Sequence, residues 1–162
     1  MIVYTVSITL HVLAAMFWLG GMFFLAAVGA PVLRRVEPAL LRAKLFDELG
    51  VRFRTLGWIA IGVLVVTGVV NLRYHGVLSW AVLRDPGFWS GSFGVALAVK
   101  LASVAVMLVL QAVHDFVHGP EASRAVPGSP AALRIRTRAA LLARINAVVG
   151  LVLIVAATRL PR

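Results

Sequence analysis

The stretch SITLHVLAAMFWLGGMFF, residues 7–24, is apolar almost throughout and carries a histidine, His11, near its middle. The apolar run extends from about Val3 to Leu33, where Arg34-Arg35 stops it. About 20 apolar residues suffice to cross a hydrocarbon core of roughly 30 Å, so this run is a membrane span. It is too long for the apolar region of a signal peptide. Met1-Ile2-Val3-Tyr4 also lacks the basic start of one, so the run reads as a retained helix. Three further runs follow, at about 54–74, 92–118 and 141–158. Gly and Pro punctuate the joins at Pro38, Asp85-Pro86-Gly87, Gly119-Pro120 and Pro127-Gly128-Ser129-Pro130. The expected fold is all-α: a four-transmembrane-helix bundle forming a single membrane domain, residues 1–162.

Composition agrees with that architecture. The 162 residues are 61% hydrophobic and 14% charged, and the mean hydropathy is +0.97. Soluble domains are about 45–50% apolar and about a quarter charged. The absence of cysteine excludes disulfides, thiolate metal sites and cysteine nucleophiles. No phosphate loop and no nucleophile–base pair appears, which argues against a hydrolase. Gly91-Ser92-Phe93-Gly94 reads simply as a helix start.

The formal net charge of +10 has its explanation in topology rather than in nucleic-acid binding. The first connection and its flanks hold Arg34, Arg35, Arg42, Lys44, Arg52 and Arg54, and the third holds Arg124, Arg134, Arg136, Arg138 and Arg144. The second connection and the C-terminus hold only Arg73, Arg84, Arg159 and Arg162. The positive-inside rule then puts the first and third connections in the cytoplasm and both termini in the periplasm, as in a multi-pass protein of the bacterial inner membrane. The lipid bilayer is the first partner, and the basic surface suits anionic lipid. Trp58, Trp80 and Trp89 suit the interfacial aromatic belt, with the Trp80–Trp89 segment lying on the outer surface. The Pro/Ser/Ala/Arg-rich stretch from Gly119 to Arg138 reads as a flexible loop.

Polar side chains inside a span are expensive and turn toward the bundle interior. On the third helix Lys100, Ser103, Met107, Gln111, His114 and His118 fall on one stripe at 3.6 residues per turn. On the first, Ser7, His11, Ala14, Trp18, Gly21 and Leu25 share a face, and on the second Thr67, Asn71, Tyr74 and His75 do so. Both His11 and Lys100 lie ~12 Å below the outer boundary, and His114 lies ~21 Å deeper than Lys100. The expectation is one outer cluster of His11, Lys100 and His75, with His114 and His118 in a separate layer.

A lone histidine in a span often serves only as interhelical glue. Lys100 points further, because no acid lies in any span at its depth. Haem b meets both needs: iron for the His11 imidazole, an apolar ring for the Ala, Gly, Val and Leu walls, and propionates for cations. Arg73, Arg84 and Tyr74 would be propionate partners, and His75, Lys100 or water would take the second axial position. Copper is the rival, since Cu(I) favours soft ligands and Met22 or Met107 would join His11 or His114. His114 and His118 have the i, i+4 spacing of helical metal sites but lack a glutamate or third ligand in the motif.

These residues resemble a known family. His11 followed by Trp18-Leu19-Gly20-Gly21 resembles the opening helix of the copper resistance protein D (CopD) family. RFRTLGWIAIGVLVVTGVVNL, residues 52–72, with Thr67-Gly68 and Asn71, resembles the next helix, and FGVALAVKLASVAVMLVLQAVH, residues 93–114, the one after. The chain is also similar to the HemJ-type protoporphyrinogen oxidases, four-helix membrane proteins that carry haem b. The counterparts here are His11, Trp18, Lys100, His114, Arg144 and Asn146, although Leu19-Gly20-Gly21 and Ala30-Pro31-Val32-Leu33-Arg34 depart from that group.

The resemblance implies a haem b membrane protein for electron transfer or small redox chemistry. A quinone, a porphyrin or a redox protein would be its partner, and membrane oxidoreductase activity of the protoporphyrinogen oxidase kind stays open. The candidate cofactor residues are His11, Lys100, His75, Trp18, Asn71, Tyr74 and Arg73, with His114 as a second metal site. Copper binding or transport across the inner membrane is the alternative, and a cofactor-free assembly subunit the second. The sequence leaves a homo-oligomer open.

Overall fold

The computed structural model describes residues 1–126 and 129–158, the side chains of Ser123 and Arg136 excepted. Pro127-Gly128 and the terminal charges Arg159 and Arg162 therefore lie outside the described residues. All regular structure among the described residues is helical. Four helices are long and apolar enough to cross a membrane: α1 (Ile2–Leu33), α2 (Ala39–Tyr74), α3 (Ser92–Ala122) and α4 (Pro130–Thr158). Four antiparallel crossings put the start of α1 and the end of α4 on one face, the terminal face. The α1–α2 and α3–α4 connections share the other, which we call the basic face.

Two spans start earlier than hydropathy alone suggests. α2 begins at Ala39 rather than 54, so its 36 residues are ~54 Å long, well beyond a ~30 Å core. Its first turns carry Arg42, Lys44, Asp47, Glu48 and Arg52 among leucines and phenylalanines, which makes them a charged extension past the hydrocarbon. A Lys44–Glu48 pair at i, i+4 and an Arg42–Glu37 pair at 2.8 Å support that start. α4 begins at Pro130 rather than 141: Ser129 caps it by accepting from the Ala132 N–H at 3.2 Å, and Pro130 takes the first helical position. Much of the expected flexible loop is thus helix, because Ala131 to Ala140 is rich in Ala, Leu and Arg, all strong helix formers.

The ends of the helices are specified locally. Gly76, at φ 71°, closes α2: its N–H reaches Arg73 O and that of Val77 reaches Leu72 O, while Val77 is buried. Two short helical turns follow, Trp80–Leu83 and Pro86–Ser90, capped by Ser79 and Asp85. They hold Trp89 through its indole N–H on Leu83 O at 3.0 Å, with Arg84 over the Trp80 ring. Gly94 lets α3 pass directly against the Phe88 carbonyl, where a Cβ would collide with backbone.

Around the bundle α2 packs on α1 and α3 packs on α4, with α1 touching α4. α2 and α3 meet through long side chains: Trp58 against Phe116 near the basic face and His75 against Phe93 at the terminal face. The shared core is Trp18, Leu19, Ala60, Ile61, Met107 and Leu153, with Met22 and Phe23 against it. Most other apolar side chains, such as Leu13, Met16, Val66, Val109 and Val155, are exposed, which is how a lipid-facing surface reads.

Glycine positions test this packing. Gly94→Ala must push two backbones apart and is expected to lower stability by about 1–3 kcal/mol. Gly20 has nothing within 4 Å of its would-be Cβ, so Gly20→Ala should unfold like the wild type in the same detergent melt. Equal melting of the two variants would contradict the packing.

Candidate functional site

Helices in lipid gain little from apolar contact with each other, so small residues and hydrogen bonds decide which faces meet. α1 and α2 meet along an antiparallel polar seam. Tyr4 Oη lies 3.2 Å from His75 Nε2, Ser7 Oγ donates to Asn71 Oδ1 at 2.8 Å, and His11 Nδ1 lies 2.8 Å from Thr67 Oγ1. Toward the basic face the seam continues with Trp18 over Gly57 and Gly21 against the Phe53 ring.

The Thr67 hydroxyl fixes the state of His11. Its single proton goes to Val63 O at 2.6 Å, so its oxygen accepts, and the His11 Nδ1 must donate. A neutral imidazole then carries its lone pair on Nε2, and the ring also lies within hydrogen-bonding reach of the Leu64 backbone carbonyl. Gly68 lies beside the ring: a Cβ there would stand 3.6 Å from His11 Cε1. A ring nitrogen tied to an acceptor, with the lone pair left on the other, is how proteins orient a metal-binding histidine.

Lys100 is half-buried on α3, close enough for its charge to act on His11. Among the described residues it has no hydrogen bond or ion pair. His75 takes its own rung of the seam with Tyr4, and Asn71 serves Ser7. Arg73 and Tyr74 are exposed and line an open groove with Val3 and Val70. Trp18 is a core residue, 2% exposed. The charge of Lys100 thus reaches His11, while His75, Asn71, Arg73 and Tyr74 lie toward the terminal face.

At mid-depth the core holds two thioethers, Met107, fully buried, and Met22. The amide of Asn146 donates to Met22 Sδ at 3.3 Å. Its Oδ1 and the Trp18 indole N–H are buried without a partner among the described residues.

Near the basic face the stripe on α3 changes register. Ser103, Met107, Gln111 and Asp115 are the buried positions, and Asp115, not His114, takes the inward place. The cause is a π-helical turn, His114–His118, closed by the Gly119 N–H on His114 O. Asp115 Oδ2 accepts from Trp58 Nε1 at 3.0 Å and Gln111 Nε2 at 2.8 Å, and Oδ1 lies 3.0 Å from His114 Nδ1. Arg54 donates to the Asp115 backbone carbonyl at 3.2 Å. Asp115 was not among the residues singled out from sequence. The signal was there in the Gln111/Asp115 spacing of one turn and in Trp58 at matching depth. Among the described residues no three His, Cys, Asp or Glu side chains converge on one point as a metal site.

The seam has a measurable strength. A double-mutant cycle on Ser7→Ala and Asn71→Ala, read by unfolding in detergent, should give a coupling of about 0.6–1.7 kcal/mol. Additive losses would contradict a direct bond.

Comparison with known proteins assigns the family of the chain. The copper resistance protein D family matches residues 48–160, which takes in most of α2 and all of α3 and α4 and leaves α1, with His11, outside. An uncharacterized protein of Aquifex aeolicus (strain VF5) is 32% identical over 114 residues, covering 70% of this chain and 68% of its own length. No solved structure matches. With the family match spanning well over half of its residues, this chain is a multi-pass membrane protein that belongs to the copper resistance protein D family.

Proposed function

We propose that the protein binds copper inside its bundle and carries it across the bacterial inner membrane, with both chain ends in the periplasm. The observation that carries this reading is His11, held inside the bundle through Nδ1 on the Thr67 hydroxyl, so that the lone pair of the neutral ring falls on Nε2. Cu(I) takes imidazole and thioether ligands readily. Met107 lies seven residues along α3 from Lys100, or ~10 Å deeper, so a soft donor follows the imidazole in depth. Met22, with the free Oδ1 of Asn146 beside it, adds a second one. The copper reading thereby moves ahead of haem, which the sequence alone had favoured.

Lys100 supports a second reading. An ammonium without an acid partner among the described residues would suit the carboxylates of a porphyrin, with His11 as its axial ligand. The direct bonds between α1 and α2 fit this less well. Ser7–Asn71 at 2.8 Å and His11–Thr67 at 2.8 Å leave no slot for a macrocycle between those two helices. Redox chemistry with a quinone or porphyrin belongs to this second reading, as does a likeness to HemJ-type oxidases.

Proteoliposomes enclosing a Cu(I)-sensitive dye distinguish the two. The copper reading expects Cu(I) entry with wild type, a drop of roughly tenfold or more with His11→Ala, on the scale of losing a metal-site interaction, and a smaller drop with the volume-conserving Met107→Leu. It also expects no visible chromophore that depends on His11. Absent flux, together with a Soret band lost in His11→Ala, would replace copper with haem.

A further inference from the structure

The basic end of α3 repeats the arrangement seen at His11, twice. His114 Nδ1 lies 3.0 Å from Asp115 Oδ1, and His118 Nδ1 lies 3.1 Å from Glu121 Oε2. Carboxylates accept and do not donate when ionised, so each ring gives its Nδ1–H to the acid, and in the neutral ring the lone pair falls on Nε2. Neither Nε2 has a hydrogen-bond partner among the described residues. The two rings are four residues apart, somewhat less than one π-helical turn, which keeps them toward the same side of the helix. The Asp115 carboxylate is held in turn by Trp58 and Gln111, so the first imidazole rests on a fixed, buried support. The His114 side chain is 40% exposed and that of His118 16%, so the pair stands between the core and water.

Surface ion pairing alone does not account for this. A solvated histidine near a carboxylate gains little, and nothing then requires the acid to be buried and doubly bonded. A ring whose Nδ1–H is anchored by a carboxylate is oriented and made a better donor at Nε2. Arg54, on the facing helix, donates to the Asp115 backbone carbonyl at 3.2 Å. A sequence reader sees only His-x-x-x-His without a third ligand, whereas the fold supplies an acid behind each ring.

We infer that His114 and His118 form a two-imidazole site for a soft or borderline metal ion at the basic face, oriented by Asp115 and Glu121. Resting on the copper reading, it is where the ion leaves the bundle after His11 and the thioethers of the core. Binding forms two metal–nitrogen bonds to neutral rings and involves no change of oxidation state. The remaining coordination positions are open to water or to an acceptor.

An anaerobic Cu(I) titration of the detergent-purified full chain against a coloured Cu(I) chelator tests the site. The His114→Ala/His118→Ala variant should withdraw one equivalent of copper fewer than wild type. Glu121→Gln alters an exposed residue and keeps both rings, and should weaken that equivalent by about 10–100-fold, the usual effect of losing such a support. His11→Ala should leave the basic-face equivalent intact. Identical titrations of wild type and the double variant would overturn the site while leaving a copper-binding His11 standing. Loss confined to the double variant would keep the site and remove the bundle-interior reading instead.

Discussion

The α1–α2 seam is the constraint on which the rest of the bundle depends. Lipid is as apolar as leucine, so a helix of nearly uniform hydrophobicity has no preferred rotation until something polar chooses one. Ser7, His11 and Tyr4 on α1 each find a partner on α2 a turn apart, and the register of one rung fixes the others. With that rotation set, Trp18 is carried into the core, Gly21 receives the Phe53 ring, and Phe17 stacks on Phe53. The same bonds fix His11 chemically. Thr67 cannot give its one proton both to Val63 and to the imidazole, so the ring's own proton is assigned to Nδ1.

The two ends of the bundle then use one device with different supports. Toward the terminal face a hydroxyl holds His11 inside the apolar bundle. Toward the basic face carboxylates hold His114 and His118 where α3 leaves it. The π-turn makes the second arrangement possible. An uninterrupted α-helix would continue the inward stripe toward His114, whereas the wider turn brings Asp115 inward and leaves His114 beside it. Between the ends, Met107 and Met22 give the core soft atoms without giving it charge. On the proposed reading, imidazole, thioether and imidazole follow one another across the membrane.

Sequence made part of this legible and hid part for identifiable reasons. The four spans, the start of α3 and the faces of Ser7, His11, Thr67 and Asn71 follow from apolar run length and helical period, which do not depend on partners. The early starts of α2 and α4 were hidden because hydropathy marks where lipid ends, not where a helix ends. Arg42, Lys44, Glu48 and the Ser129-Pro130 cap carry the helices on into water. Asp115 was missed because a single acid near a span boundary reads as solvated, and only the fold brings Trp58 and Gln111 to it. Depth along the spans groups His75 with His11, and only the fold shows that its hydrogen bond runs to Tyr4.

The most direct test of the account is the tautomer of His11 in the protein embedded in lipid. Nitrogen NMR on histidine-labelled wild type, with His11→Gln to assign the signal, reads which ring nitrogen bears the proton. The account predicts a neutral ring protonated at Nδ1 alone, with the bare Nε2 signal shifting when Cu(I) is added, and a mixed population in Thr67→Val. A ring protonated at Nε2 in the wild type, or one indifferent to Thr67→Val, would contradict it.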